Sequence, residues 1–193
     1  MAQGLGIGEW VERLAAIPAK EFTLANVDRF LREHPVLPDS LAPFLFFSRA
    51  NYTRNLIFKN ELFECLTICW DIGQVSRIHN PRGQKCWMAT PIGRLRVQNF
   101  RVEDRDPASG TCRLLATDAF DMDPAHPATV DPRAPVHQVL NLREFGQRAV
   151  SLHLYSHPFD SCEVYSLDKG TYFDAPLYYT SEYGQLSPEE QLL

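Results

Sequence analysis

A chain of 193 residues with 45% hydrophobic and 22% charged content has the balance of a globular protein with a sizeable core. Nineteen Lys and Arg stand against 24 Asp and Glu, giving a formal net charge of −5, and the positive residues are scattered. That composition lacks the basic stripe of a nucleic-acid binder, and no apolar run is long enough to span a bilayer.

The first residues lack a basic region followed by an apolar one, so no secretory signal is read and a cytoplasmic location is expected. The five cysteines, Cys65, Cys69, Cys86, Cys112 and Cys162, fit free thiols in a reducing compartment rather than a disulfide framework. Cys65 and Cys69 are expected as buried small hydrophobes on one face of a strand.

In chain order, three helices are predicted first. Residues 8–17 place Trp10, Val11, Leu14 and Ile17 on one stripe. Residues 24–34 follow a Thr23 cap, bury Val27, Phe30 and Leu31, and stop before Pro35. Residues 39–47 turn Leu41, Phe44, Leu45 and Phe47 inward. From Arg54 the period changes to two. Strands are predicted near 54–59, 62–70, 75–79, 85–90, 92–102, 111–117, 136–142, 149–156, 160–167 and 171–180. Residues 104–110 read as a turn-rich loop, and 121–135, rich in Pro and Asp, as an irregular connector. The expectation is a mainly β fold: one domain over 1–193, with a helical part over 1–50, a jelly-roll barrel over 51–186 and a polar tail over 187–193. The helices should pack on one side of the barrel.

Two spaced motifs carry more information. The first is Gly73, then His79, Cys86 and Gly93, with Asn80-Pro81-Arg82-Gly83 as a turn. The second is Pro132-Arg133-Ala134-Pro135-Val136-His137, with Asn141 four residues on. Both spacings resemble the two signatures of the cupin barrels, in the right order. Ala134 stands in place of a glycine, Cys86 where most cupins have Glu, and Pro81 where a second histidine belongs.

Within the cupins, the chain resembles the cysteine dioxygenase family of thiol dioxygenases over roughly residues 40–185. The specific pieces are Tyr52-Thr53-Arg54-Asn55, the block from His79 to Cys86, His137, and Ala149-Val150-Ser151-Leu152-His153-Leu154-Tyr155-Ser156 followed by Pro158-Phe159-Asp160. The resemblance implies a mononuclear divalent metal, Fe(II) first and Ni(II) as the alternative, with His79 and His137 matching two of three imidazole ligands. The partners implied are L-cysteine and dioxygen, with no nucleic acid, no membrane, and a monomer or weak homo-oligomer. Arg54 matches the clamp for the substrate carboxylate, with Tyr52 two residues earlier on the same face. Cys86 and Tyr155 match a thioether-forming pair. Ser151, His153 and Tyr155 alternate, and match a hydrogen-bonded relay that orients the tyrosine.

Two departures bear on function. Pro81 has no donor atom, so the metal loses an imidazole; water, Asn80, Cys86 or His153 could stand in. His157 replaces a proline, so Ser156-His157-Pro158 needs a non-prolyl cis bond or another path; His157 itself is a further, weaker candidate ligand. The first expectation is oxidation of cysteine to a sulfinate. The alternatives are a rearranging oxygenase giving a sulfonamide-type product, and a non-catalytic thiol-binding or sensing cupin.

Overall fold

The computed structural model describes residues 4–188. The predicted tail beyond 188 lies outside the described residues. Two helices open the chain, α1 (Ile7–Ala15) and α2 (Leu24–Glu33). Thr23 caps α2 by accepting the Asn26 amide at 3.3 Å. The third segment is not an α-helix but a 3₁₀ stretch, Pro38–Phe44, containing Pro43. A proline inside the segment removes a backbone donor and cannot continue an α-helical ladder.

Thirteen strands follow among the described residues: β1 (Thr53–Lys59), β2 (Glu64–Trp70), β3 (Ile78–Asn80), β4 (Lys85–Ile92), β5 (Leu95–Asp106), β6 (Thr111–Met122), β7 (Ala128–Thr129), β8 (His137–Leu140), β9 (Ala149–Ser156), β10 (Ser161–Ser166), β11 (Thr171–Pro176), β12 (Ser181–Glu182) and β13 (Gln185–Leu186). One sheet has the order β13-β12-β1-β2-β9-β4-β7; the other, β10-β11-β6-β5-β8-β3, closes on itself through β3 and β10. This is the mainly β, cupin-type jelly roll that the motifs implied.

Several boundaries differ from expectation. β5 and β6 run on as a long hairpin to Asp106 and from Thr111, so part of the expected 104–110 loop is strand. The expected connector 121–135 contains the end of β6 and the short β7. The expected strand at 75–79 shrinks to β3, with Val75 making only a single bridge to Leu140. The expected last strand stops at Pro176.

The central strands are buried on both faces, and alternation divides the labour. Cys65 and Cys69 of β2, Trp87 of β4, and Val150, Leu152 and Leu154 of β9 pack outward against Trp10, Leu14, Val27, Phe30 and Leu31 of the helices. Each fully buried aliphatic side chain there contributes about 1.5–3 kcal/mol. Polar ties fix the same layer: Trp87 Nε1 donates to Leu24 O at 3.0 Å and Lys85 Nζ to Phe22 O at 3.2 Å. Leu66, Ile68 and Trp70 of β2, with Cys86 and Met88 of β4, face inward against Leu95, Val97, Met122 and Val139 of the other sheet.

The two glycines of the first motif have a backbone reason. Gly73 and Gly93 take φ of +84° and +80°, a region costly for any residue with a Cβ. At Gly93 a Cβ would also lie 2.6 Å from Arg148 O. Gly93→Ala is therefore expected to cost about 3 kcal/mol or more. Gly83→Ala, with φ +78° but nothing within 4 Å of a Cβ, should cost only about 1–2 kcal/mol. The two denaturant midpoints check this.

Candidate active site

Both sheets contribute to one group of side chains. From the closed sheet, His79 on β3 and His137 on β8 are direct register partners, with ring centroids 4.5 Å apart. The two imidazoles thus come from neighbouring strands of one sheet. His79 Nδ1 lies 2.9 Å from Arg77 O, and His137 Nδ1 lies 2.8 Å from Pro135 O. A carbonyl can only accept, so each Nδ1 carries the hydrogen and each Nε2 keeps its lone pair. His137 is 0% exposed, and its Nε2 has no hydrogen-bond partner. His79 is held neutral, its pKa lowered to about 3, first by burial of the ring and then by His137. The His137 pKa is also lowered by burial. Neutral imidazoles with Nδ1 bound to carbonyls and bare Nε2 atoms are the form in which histidine ligates metals.

The facing sheet supplies the rest. The register aligns Ser151 with Ile68, His153 with Leu66 and Tyr155 with Glu64, and across β4 it pairs Cys86 with Tyr155. Ser151, His153 and Tyr155 form a chain: Ser151 Oγ to His153 Nε2 at 2.9 Å, and His153 Nδ1 to Tyr155 Oη at 3.0 Å. The chain has a further member that its residue type hid. Trp70 Nε1 donates to Ser151 Oγ at 2.9 Å. Trp70 has the pattern of a core aromatic, and its indole is a donor only. Ser151 keeps a second lone pair and its own hydrogen for His153, so the direction of the Ser151–His153–Tyr155 bonds follows the His153 tautomer. The Tyr155 hydroxyl also hydrogen-bonds the Cys86 thiol. Burial and the neighbouring Arg54 charge keep His153 neutral, well below the usual imidazole range. Burial, then Cys86, pushes Tyr155 well above the usual phenol range. Cys86 is pushed up to about 12 by burial, and the Tyr155 hydrogen bond opposes that rise.

Arg54 lies on β1, and its Nε and Nη2 are enclosed without a partner. Its charge is felt at His79, His153, Cys86, Tyr155 and Tyr52. Tyr52 stacks on Trp70, with centroids 4.7 Å apart. All eight residues singled out in the sequence are thus gathered around one interior.

The departures resolve as follows. Pro81 is buried. Asn80 turns away: its Oδ1 accepts the Arg82 amide at 2.9 Å and its Nδ2 reaches Glu163 at 3.4 Å. His157 is exposed, its Nδ1 2.8 Å from Glu61 O, and it follows a cis Ser156–His157 bond. Among the described residues no three His, Cys, Asp or Glu side chains cluster closely enough to hold a metal ion. The donor set that fits a divalent cation is the pair of imidazoles. Glu64, fully buried on the inner face of β2, is a residue that the motif comparison missed. Its signal was a lone carboxylate in a strand with no other charged residue.

The family model for cysteine dioxygenase type I matches residues 15–168. The chain belongs to the cysteine dioxygenase type I family. Membership makes it a non-haem metal dioxygenase by family. It is 28% identical to cysteine dioxygenase type 1 of Danio rerio over 86% of this chain and 81% of that protein. It is 26% identical to the Homo sapiens protein of the same name, over 87% and 82%. Among solved structures it is similar to an uncharacterized protein with a double-stranded beta-helix domain from Klebsiella pneumoniae. That likeness has a TM-score of 0.45 at 12% identity and covers 70% of this chain and 87% of that one. A cupin-like protein from Ralstonia eutropha gives a TM-score of 0.44 at 12% identity, covering 65% of each chain. No helix among the described residues is long and apolar enough to cross a membrane.

His79→Ala and His137→Ala are each expected to lower the divalent metal retained after dialysis by about tenfold or more. His157→Ala should leave it unchanged. Plasma mass spectrometry of the three proteins checks this.

Proposed function

We propose that this protein oxidises the thiol of L-cysteine with dioxygen, adding both oxygen atoms to the sulfur and giving cysteine sulfinate. The observation that carries the reading is the enclosed Arg54 guanidinium, with two donors and no protein acceptor, beside the imidazole pair. A planar fork of unpaired donors is complementary to a carboxylate, and amino acids bring one. His79 and His137 would hold the metal, Fe(II) first and Ni(II) second. When bound, it supplies the redox chemistry that lets dioxygen react with a thiolate.

The chain's own residues do the positioning. Arg54 fixes the carboxylate, and with it the direction in which the thiol points. Tyr52, half-buried and stacked on Trp70, adds a hydroxyl near the same end. Tyr155, held by His153, presents its hydroxyl toward the place where oxygen and sulfur meet. Cys86, opposite Tyr155 in the register, holds the phenol from the other side, and a thioether between them would fix it further. Apolar walls from Leu66, Ile68 and Met88 exclude water, which strengthens each of these polar contacts.

A second reading rests on Pro81. A site with two protein imidazoles has a spare position, which could let the substrate nitrogen react along with the sulfur and give a sulfonamide-type product. The product's mass, measured after cysteine turnover by the metal-loaded protein, separates the two. A gain of two oxygens on intact cysteine supports the first, and any loss of the free amine supports the second. Pro81→His should tighten metal retention and leave sulfinate as the sole product.

Arg54→Met is expected to weaken cysteine binding by about 30-fold or more, since one side of a buried charge pair is removed. The free protein should keep or gain stability, because Arg54 Nε and Nη2 lose no protein partner. Calorimetric titration and thermal unfolding of the variant give both numbers.

A further inference from the structure

Behind the barrel interior, on the helical side of β4 and β9, lies a cavity that the reading above does not use. It measures about 550 Å³, the size of a small-molecule pocket. Trp10 of α1, Leu31 of α2, Val36, Ala89 of β4 and Leu152 of β9 line it. Leu37 lines it too and is 49% exposed, so the cavity reaches solvent. Leu152 stands between Ser151 and His153 in β9, and alternation turns those two to the opposite face.

The polar side chains around this cavity are matched, with one exception. Trp10 Nε1 donates to His34 O at 2.8 Å. Arg32 donates to Asp28 at 2.8 and 3.1 Å and to Pro127 O at 3.2 Å. The half-buried His34 ring packs against Phe30, with centroids 4.9 Å apart. The exception is Thr90. It lines the cavity, is 1% exposed, and its Oγ1 is enclosed with no partner. An irregularity of β4 puts it there. Ala89 pairs with Leu152 and Ile92 with Val150, so Thr90 and Pro91 together oppose Ser151. An enclosed hydroxyl without a partner is costly to keep. A hydroxyl can both give and accept a hydrogen bond, so another hydroxyl satisfies it in either sense. The Arg32 charge is already met by Asp28, so it does not call for an ionised ligand.

We propose that this cavity binds a small, neutral, mainly apolar molecule carrying one hydroxyl. The hydroxyl meets Thr90 Oγ1, and the apolar body lies against Trp10, Leu31 and Leu152. The site stands apart from the imidazole pair and from Arg54, with β4 and β9 between, and it does not depend on the reaction assigned to them. Its floor is the back of the strand that carries Ser151, His153 and Tyr155.

The test is calorimetric titration of the full-length protein with 4-propylphenol and with propylbenzene, which lacks only the hydroxyl. Thr90→Val keeps the shape of the side chain and removes its hydroxyl. It should lower the affinity ratio of the phenol to the hydrocarbon about fivefold while leaving propylbenzene within about twofold. Thr90→Ser restores a hydroxyl and should return the ratio to within about twofold of wild type. The thermal midpoint of Thr90→Val should not fall, since Oγ1 has no protein partner to lose. If neither compound binds the wild type, water alone meets Thr90 and the proposal is overturned. An unchanged ratio in Thr90→Val, or an equal loss of both compounds, overturns it as well. If Thr90→Val does not fold, the wild type decides by nuclear magnetic resonance. Bound 4-propylphenol should show Overhauser contacts to the methyl groups of Leu31 and Leu152, and contacts elsewhere, or none, sink the idea.

Discussion

The structure depends on keeping a guanidinium inside a barrel without a protein acceptor. Enclosing Arg54 Nε and Nη2 costs several kcal/mol by itself. The fold sustains that cost through strands buried on both faces. Every residue of β2 and of β9 is buried, so those strands stabilise twice, once toward the helices and once toward the opposite sheet. The same charge acts on the protonation of the interior beside burial. Burial first, with Arg54 adding to it, keeps His79 and His153 as neutral imidazoles. Arg54 also tempers the rise that burial imposes on Cys86, Tyr155 and Glu64.

The two halves of the site belong to different sheets. The imidazoles sit on β3 and β8, while Arg54, Cys86 and the relay sit on β1, β4 and β9. Among the described residues no hydrogen-bonded ladder joins one set to the other, so their spacing is set by side-chain packing. Leu66, Ile68 and Met88 meet Leu95, Val97 and Val139 in a single cluster. Protein interiors of this density do not yield by small amounts. A change of volume in that cluster is therefore a change in the distance between the clamp and the imidazoles.

Much of this was legible in the sequence, for reasons that can be named. β9 alternates Val150, Leu152 and Leu154 with Ser151, His153 and Tyr155, and a period of two assigns each to a face. The motif glycines mark backbone positions with positive φ, which few other residues tolerate. The third helix misled because Leu41, Phe44 and Leu45 carry a helical stripe, while Pro43 rules out the helix that would use it. The long β5–β6 hairpin was underestimated because Arg101, Glu103, Arg105 and Arg113 are solvated, and a strand exposed on both faces has no apolar period to detect. Asn80 could be weighed as a ligand from spacing alone, but its turn toward Glu163 depends on β10, which lies more than eighty residues downstream. Trp70 and Glu64 were missed for opposite reasons: one resembled ordinary core, and the other lay outside both motifs.

One strand carries two messages in successive residues. Lys85 and Trp87 of β4 are tied to the main-chain oxygens of Phe22 and Leu24, and Cys86 between them looks the other way, onto Tyr155. The segment that leads into α2 is thus a brace bolted to the back of the reaction chamber. Any shift of residues 22–24 pulls on the strand that shapes the chamber wall, and the helical layer acts as part of the machinery's frame rather than as a cover laid over it.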